Sequence, residues 1–199
     1  MNKVIDYFFT PASPWSYLGH ERLRVIAARH GAAIAMRLVD LGQVFPVSGG
    51  LPLAKRAPQR QAYRLVELRR WRDYLGLPIN LQPAFAGASP EPSARWILAA
   101  LEDDAEGALN LASAIMRARW AEERDTADAQ VLAELATAQS LDPVTLAARA
   151  AGPATAERYA AGTREAVERG VFGAPTYIYR DEPFWGQDRL DFLDRALAQ

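Results

Sequence analysis

An α/β fold in which a run of helices interrupts a small sheet is predicted by three features of the sequence. Both ends alternate strand-like and helix-like text, the centre reads almost wholly as helix, and a short turn, ASPWSYLG at 12–19, joins the first strand to the first helix. A strand, a helix and a second strand within about 40 residues have the size of one βαβ unit, which calls for a parallel pair with a right-handed crossover. Sheet, then helices, then sheet again describes a helical insertion within an α/β domain. The 199 residues suit one domain with such an insertion, since domains usually hold about 100 to 200 residues.

Residues 3–9, KVIDYFF, are rich in β-branched and aromatic side chains, and the turn-prone TPASP follows, so a short buried strand ends near Thr10. Ser13 before Pro14 is a helix-start signature: the serine accepts from free amides, and proline at the first helical position loses no needed donor. Leu18, Leu23, Ile26 and Ala27 supply the apolar stripe, and Gly31 after a basic end stops the helix. IAMRLVDL at 34–41 reads as the second strand. From Gly42 to about Ala57 the chain is rich in Gly and Pro and reads as a loop. Helical patterns fill most of 58–169, with Pro, Ser, Asp or Thr at their starts and Gly at many of their ends. PTYIYR, the turn residues DEP, then FWG return to strand, and DRLDFLDRALAQ closes as a helix. No period of 20 to 50 residues recurs, so a helical repeat is not predicted.

Half the residues are hydrophobic, 24% are charged and the net charge is −1. That balance gives no electrostatic footprint for nucleic acid and points to small partners. There is no cysteine, which removes disulfides, zinc–thiolate sites and thiol catalysis by the chain itself. Any thiol chemistry must use an external thiol. No run of about 18 apolar residues occurs and the N-terminus lacks a signal-peptide pattern, so a cytoplasmic protein without membrane contact is expected. No His, Asp and Glu grouping has metal-ligand spacing.

Ser13 and Ser16 stand at the first turn of a helix, where unpaired amides and the helix dipole favour negative charge by roughly 0.3 to 1 kcal/mol. Thiol oxidoreductases hold Cys-x-x-Cys at such a turn, and the helix start lowers the cysteine pKa. Here the spacing is kept without the sulfur. Ser13 as a nucleophile paired with His20 is disfavoured, since seven residues at 1.5 Å each put them about 10 Å apart.

The chain resembles the 2-hydroxychromene-2-carboxylate isomerases, relatives of the kappa-class glutathione transferases and DsbA-like proteins. DYFFTPASPWSYLG, RQAYRLVELRRWRDYLGLP, RARWAEERD, ATAERYAAGTREAVERGVFGAPTYIY and FWGQDRLDFL carry the resemblance, GVFGAPT and GQDRL most specifically. It implies a thioredoxin-like fold with an inserted all-helical domain: residues 1–45 and 153–199 form the thioredoxin-like part, and 46–152 the insertion. It also implies glutathione as cofactor. Ser13 takes the family's serine position, whose hydroxyl donates to the glutathione sulfur; as a residue alone it reads first as a helix cap. Ala174-Pro175 takes the place of a cis proline, with the Ala174 backbone pairing the cysteinyl segment. Gln187 and Asp188 fall where the γ-glutamyl end is held, and a helix cap there is compatible with that role. Arg189 reads as structural.

One departure concerns the loop. Relatives carry an Asn after Gly there and a Lys before the next helix; here Gly50 or Leu51 and Arg60 stand at those places, and Arg60 could still grip a carboxylate. Lys55 and Arg56 read as a solvated loop. Trp71, Trp96 and Trp120 read as core, whereas Trp15 and Trp185 flank the expected site. The resemblance implies a glutathione-dependent isomerase of a small unsaturated aromatic carboxylate, acting as a homodimer. The alternatives are a kappa-like transferase and a non-catalytic binding protein. Disulfide exchange is excluded for a chain without sulfur nucleophiles.

Overall fold

Alternation along the first strand decides the layers. The structure, a computed structural model, describes residues 3–199, and its first strand, β1 (Val4–Phe9), is buried from Ile5 onward except for half-buried Asp6. Ile5, Tyr7 and Phe9 join one apolar cluster while Phe8 joins another, as side chains of successive strand residues must face opposite sides. The larger cluster runs from the sheet through α1 (Pro14–His30) into the helical centre of the chain; the smaller one packs under α8 (Pro153–Glu168).

β1 pairs in parallel with β2 (Ala33–Leu38), register Val4↔Ala33 to Phe9↔Leu38, as the βαβ reading requires. β3 (Thr176–Tyr179) lies antiparallel on the other side of β1, with Tyr7 opposite Tyr177, and β4 (Glu182–Trp185) forms the edge, giving the order β2-β1-β3-β4. The predicted turn DEP is corrected: Arg180 and Asp181, at φ 50° and 62°, make a two-residue hairpin turn and β4 already begins at Glu182.

A second correction concerns 42–57. Instead of a continuous loop, α2 (Leu41–Ser48) forms, followed by a 3-10 turn at Leu53–Lys55. Asp40 accepts from the Gly42 amide to start α2, and Val44 packs fully buried against Ala166 of α8. That tertiary contact overrides the poor helix propensity of Gly42 and Pro46. α3 (Pro58–Leu75), α4 (Glu91–Ala100), α5 (Ala105–Ala121), α6 (Ala129–Ala138) and α7 (Pro143–Ala151) then precede α8, and α9 (Leu190–Leu197) ends the chain. α8 approaches the sheet closely: a Cβ on Gly162 would lie 2.7 Å from the Leu38 carbonyl oxygen. No described helix is long and apolar enough to cross a membrane.

Candidate active site

Ser13 sits at the start of α1 with extended backbone, φ −93° and ψ 119°, and its Oγ accepts from the Ser16 amide at 3.2 Å. Pro14 occupies the first helical position. So far this is a helix cap. The second bond of the same oxygen is what a cap does not need: Ser13 Oγ donates to the Ala174 carbonyl at 2.9 Å, across 161 residues of chain. The Ala174–Pro175 peptide is cis. Ser13 and this proline segment therefore face each other over the first turn of α1.

Each side of the meeting point is pinned. The Ser13 amide donates to Thr10 O at 3.0 Å, and Trp120 Nε1, from α5, holds Pro11 O at 3.0 Å. The Gly186 amide donates to Pro175 O at 2.9 Å, and Thr176 Oγ1 to Gly173 O at 2.8 Å. A Cβ on Gly173 would lie 2.5 Å from Trp185 Nε1, so glycine lets the half-exposed indole lie across the backbone before Ala174. Phe172 meets that indole edge-on at 4.7 Å. Trp15 is partly buried against the core beside Ser13.

The backbone amides of Trp15 and Ala174 have no hydrogen-bond partner among the described residues. The first turn of α1 contains no acidic side chain, so its positive end is not offset. A helix start of this kind favours an anionic atom near Ser13.

His20 is not available as a base for Ser13. It is buried on the core face of α1, with Nε2 3.1 Å from Leu109 O and Nδ1 3.4 Å from the Tyr7 hydroxyl, and burial lowers its pKa to about 4. Burial also pushes the Tyr7 and Tyr177 hydroxyls up, leaving both protonated at neutral pH.

The remaining residues expected at the site divide. Asp188 is exposed, in a 3-10 turn at Gln187–Arg189, and its carboxylate folds back over Gly186, whose φ of 102° and missing Cβ make room for it. It lies one short step from the Pro175–Gly186 bond. Gln187 turns the other way: its side chain is buried, and both its Oε1 and its carbonyl accept from Arg22 Nη1, at 2.7 and 3.0 Å. Arg60 is exposed on the first turn of α3, and its side chain makes no hydrogen bond or ion pair among the described residues. In the loop, a side chain on Gly50 would run into the Phe45 ring, and Leu51 is exposed. Arg189 pairs with Asp188 at 3.5 Å.

Two basic residues escaped the sequence reading. Arg22 makes contacts 165 residues away, which no local pattern announces. Arg64 lies half-buried on α3, its pKa lowered by burial and by Arg56. Residues 41–66 hold Lys55, Arg56, Arg60 and Arg64 and no acidic residue. No group of His, Asp and Glu among the described residues could hold a metal ion.

Residues 4–198 match the DSBA-like thioredoxin domain family. A 2-hydroxychromene-2-carboxylate isomerase of Sphingobium xenophagum is 31% identical over 99% of both chains. The crystal structure of a 2-hydroxychromene-2-carboxylate isomerase superposes with a TM-score of 0.83 at 29% identity, covering 98% of this chain and 94% of that one. The cytosolic disulfide reductase DsbM of Pseudomonas aeruginosa, in a structure with GSH, shares the fold at a TM-score of 0.67 and 20% identity over 98% and 100%. With its paired serines, its cis-proline segment and similarity along its whole length, the chain belongs to the 2-hydroxychromene-2-carboxylate isomerase family within the DSBA-like thioredoxin group.

Proposed function

We propose that this protein is a glutathione-dependent isomerase of an unsaturated aromatic carboxylate, of which 2-hydroxychromene-2-carboxylate is the type that its relatives' name specifies. The observation that carries the reading is the Ser13 hydroxyl, held 2.9 Å from Ala174 O at an uncompensated helix start, in a chain with no cysteine.

The residues fit the tripeptide. The unpaired Ala174 amide suits a backbone carbonyl of the cysteinyl residue in a short extended pairing, and the exposed Asp188 suits an ammonium group. When bound, glutathione supplies a thiolate that adds to a conjugated carbon and leaves again, letting the substrate's double bond rotate in between.

The chain's own residues keep that sulfur ionised and aligned. Ser13 O–H turns from the neutral Ala174 carbonyl to the charged sulfur, a stronger acceptor, while Oγ continues to accept from the Ser16 amide. The Trp15 amide and the end of α1 add to the same field without reorganising. Phe172 packs against Trp185 and also lines a depression of about 280 Å³ with Val47, Ser48, Val167, Gly170 and Val171, the place this reading gives to a flat ring. The basic stretch from Lys55 to Arg64 follows Val47 and Ser48 along the chain and is the counter-charge this reading assigns to a substrate carboxylate.

Turnover with and without glutathione, with free thiol counted throughout, tests the proposal. Isomerisation that requires glutathione and leaves the thiol count unchanged is expected. Stoichiometric thiol loss would make the protein a transferase, and full activity without any thiol would end the proposal.

A further inference from the structure

We propose that Arg22 is a positioning residue that sets selectivity for the γ-glutamyl end of the thiol, an inference that rests on the glutathione reading above. Asp188 stands in a single 3-10 turn with its carboxylate exposed, and only a long, exposed pair with Arg189 at 3.5 Å meets it among the described residues. Its orientation is inherited from Gln187, the residue before it. Gln187 in turn is held by Arg22, whose Nη1 meets both Gln187 O and Oε1, while Nη2 reaches Asp191 at 3.3 Å and the guanidinium lies 5.8 Å over the Trp71 ring.

The packing shows that this seat is specific. Gln187 Cβ lies 2.8 Å from where a Cβ on Gly19 would be, so α1 opens its surface at that one residue to receive the turn. Arg22 follows on the same helix less than one turn later and closes over the turn. The Asp191 pair is too exposed to matter much, its carboxylate side chain being 80% accessible. The bonds to Gln187 are part-buried and charge-assisted, both from Nη1, and the guanidinium plane set against Trp71 fixes where that nitrogen points. A single arginine thus links α1, the insertion helix α3 and the turn bearing Asp188.

The test compares glutathione with the dipeptide cysteinylglycine, which has the same sulfur and no γ-glutamyl group. Affinities of both are measured by calorimetry on the full chain for wild type, Arg22→Gln and Arg22→Lys. Wild type is expected to prefer glutathione. R22Q should weaken glutathione by roughly ten-fold or more, the scale of losing charge-assisted bonds, with cysteinylglycine unchanged. R22K, which keeps the charge without the guanidinium plane over Trp71 that aims Nη1, should lose selectivity too, and it carries the test if R22Q melts below the assay temperature. A wild-type preference that survives in both variants, or an equal loss of both ligands, overturns the role of Arg22 while the glutathione reading stands. A wild type that does not distinguish the two ligands removes the γ-glutamyl assignment, and Arg22's role with it.

Discussion

Replacing Ser13 by alanine separates the two roles that one oxygen carries. The variant loses the bond from the Ser16 amide, 3.2 Å, and the bond to Ala174 O, 2.9 Å. Loss of a serine cap costs about 1 kcal/mol. Leaving the carbonyl of the buried Ala174 without its partner costs about 1 to 3 kcal/mol. For a chain of this size each kcal/mol shifts Tm by about 2 to 4 °C, so S13A should melt roughly 4 to 16 °C lower. Catalysis should fall further than stability explains: removing one preorganised donor from a developing or resident anion typically costs about 10² to 10³ in kcat. The assay is the absorbance change of the chromene carboxylate on opening, at saturating glutathione, beside thermal melts of both proteins. A lower Tm with unchanged kcat would show that the hydroxyl is only a cap and a clasp, and the thiolate argument would be refuted. Ser13→Thr, which keeps the hydroxyl, should recover part of both losses.

Asp188→Ala should raise KM for glutathione roughly ten-fold with Tm almost unchanged, because the carboxylate is exposed and its contact with Arg189 is long; an unchanged KM counts against the γ-glutamyl assignment. His20 gives a pH dependence of known sign: its pKa is about 4 when folded, against about 6.5 unfolded. Above 6.5 neither state binds the proton, and as pH falls from 6.5 to 4 the unfolded chain takes it up, withdrawing up to about 3 kcal/mol of stability. Denaturant midpoints at pH 7 and pH 4.5 should therefore converge in His20→Gln, and a wild-type-like acid loss in that variant would assign the effect elsewhere, for instance to Asp194, whose pKa His30 lowers. Gly19→Ala should destabilise by about 1 to 3 kcal/mol through overpacking on Tyr177 OH and Gln187 Cβ, outweighing a helix-propensity gain of about 1 kcal/mol; a higher Tm would contradict the seating of the turn on α1.

What the sequence made legible was local or had strong punctuation. Ser13-Pro14 and Gly31 bound α1 as written, because caps depend on adjacent residues. The parallel β1–β2 pair followed from the length of the connection. α2 was hidden because its support is Val44 packing on α8, far along the chain, whereas Gly42 and Pro46 argue locally for a loop. The hairpin was displaced because Arg180 and Asp181 take positive φ, a conformation that Gly or Asn would have announced.

At the site, Ser13, Ala174, Pro175 and Asp188 were named from the resemblance; the structure joins Ser13 to the cis Ala174–Pro175 segment and sets Asp188 over Gly186, whose amide holds Pro175 O. Trp15 and Trp185 lie on its two sides, each partly exposed. Gln187 was legible as a position but not as a direction: polar and next to Asp188, it reads as a ligand, yet Arg22 draws it inward. Nothing in the spacing of residues 22 and 187 records that meeting, since long-range side-chain pairs leave no period in a single sequence. Arg60 was chosen by its place before a helix, and its side chain makes no bond that ties it to the cis-proline segment.

The most direct measurement is the thiolate absorption of bound glutathione near 240 nm as a function of pH. A protein with no cysteine contributes no thiolate of its own, so the signal belongs to the borrowed sulfur. A bound thiol titrating well below the free value of about 8.5, and shifting back toward it in S13A, is the predicted result. A bound thiol that titrates as it does in water, or one indifferent to Ser13, would contradict the claim that this turn ionises the sulfur.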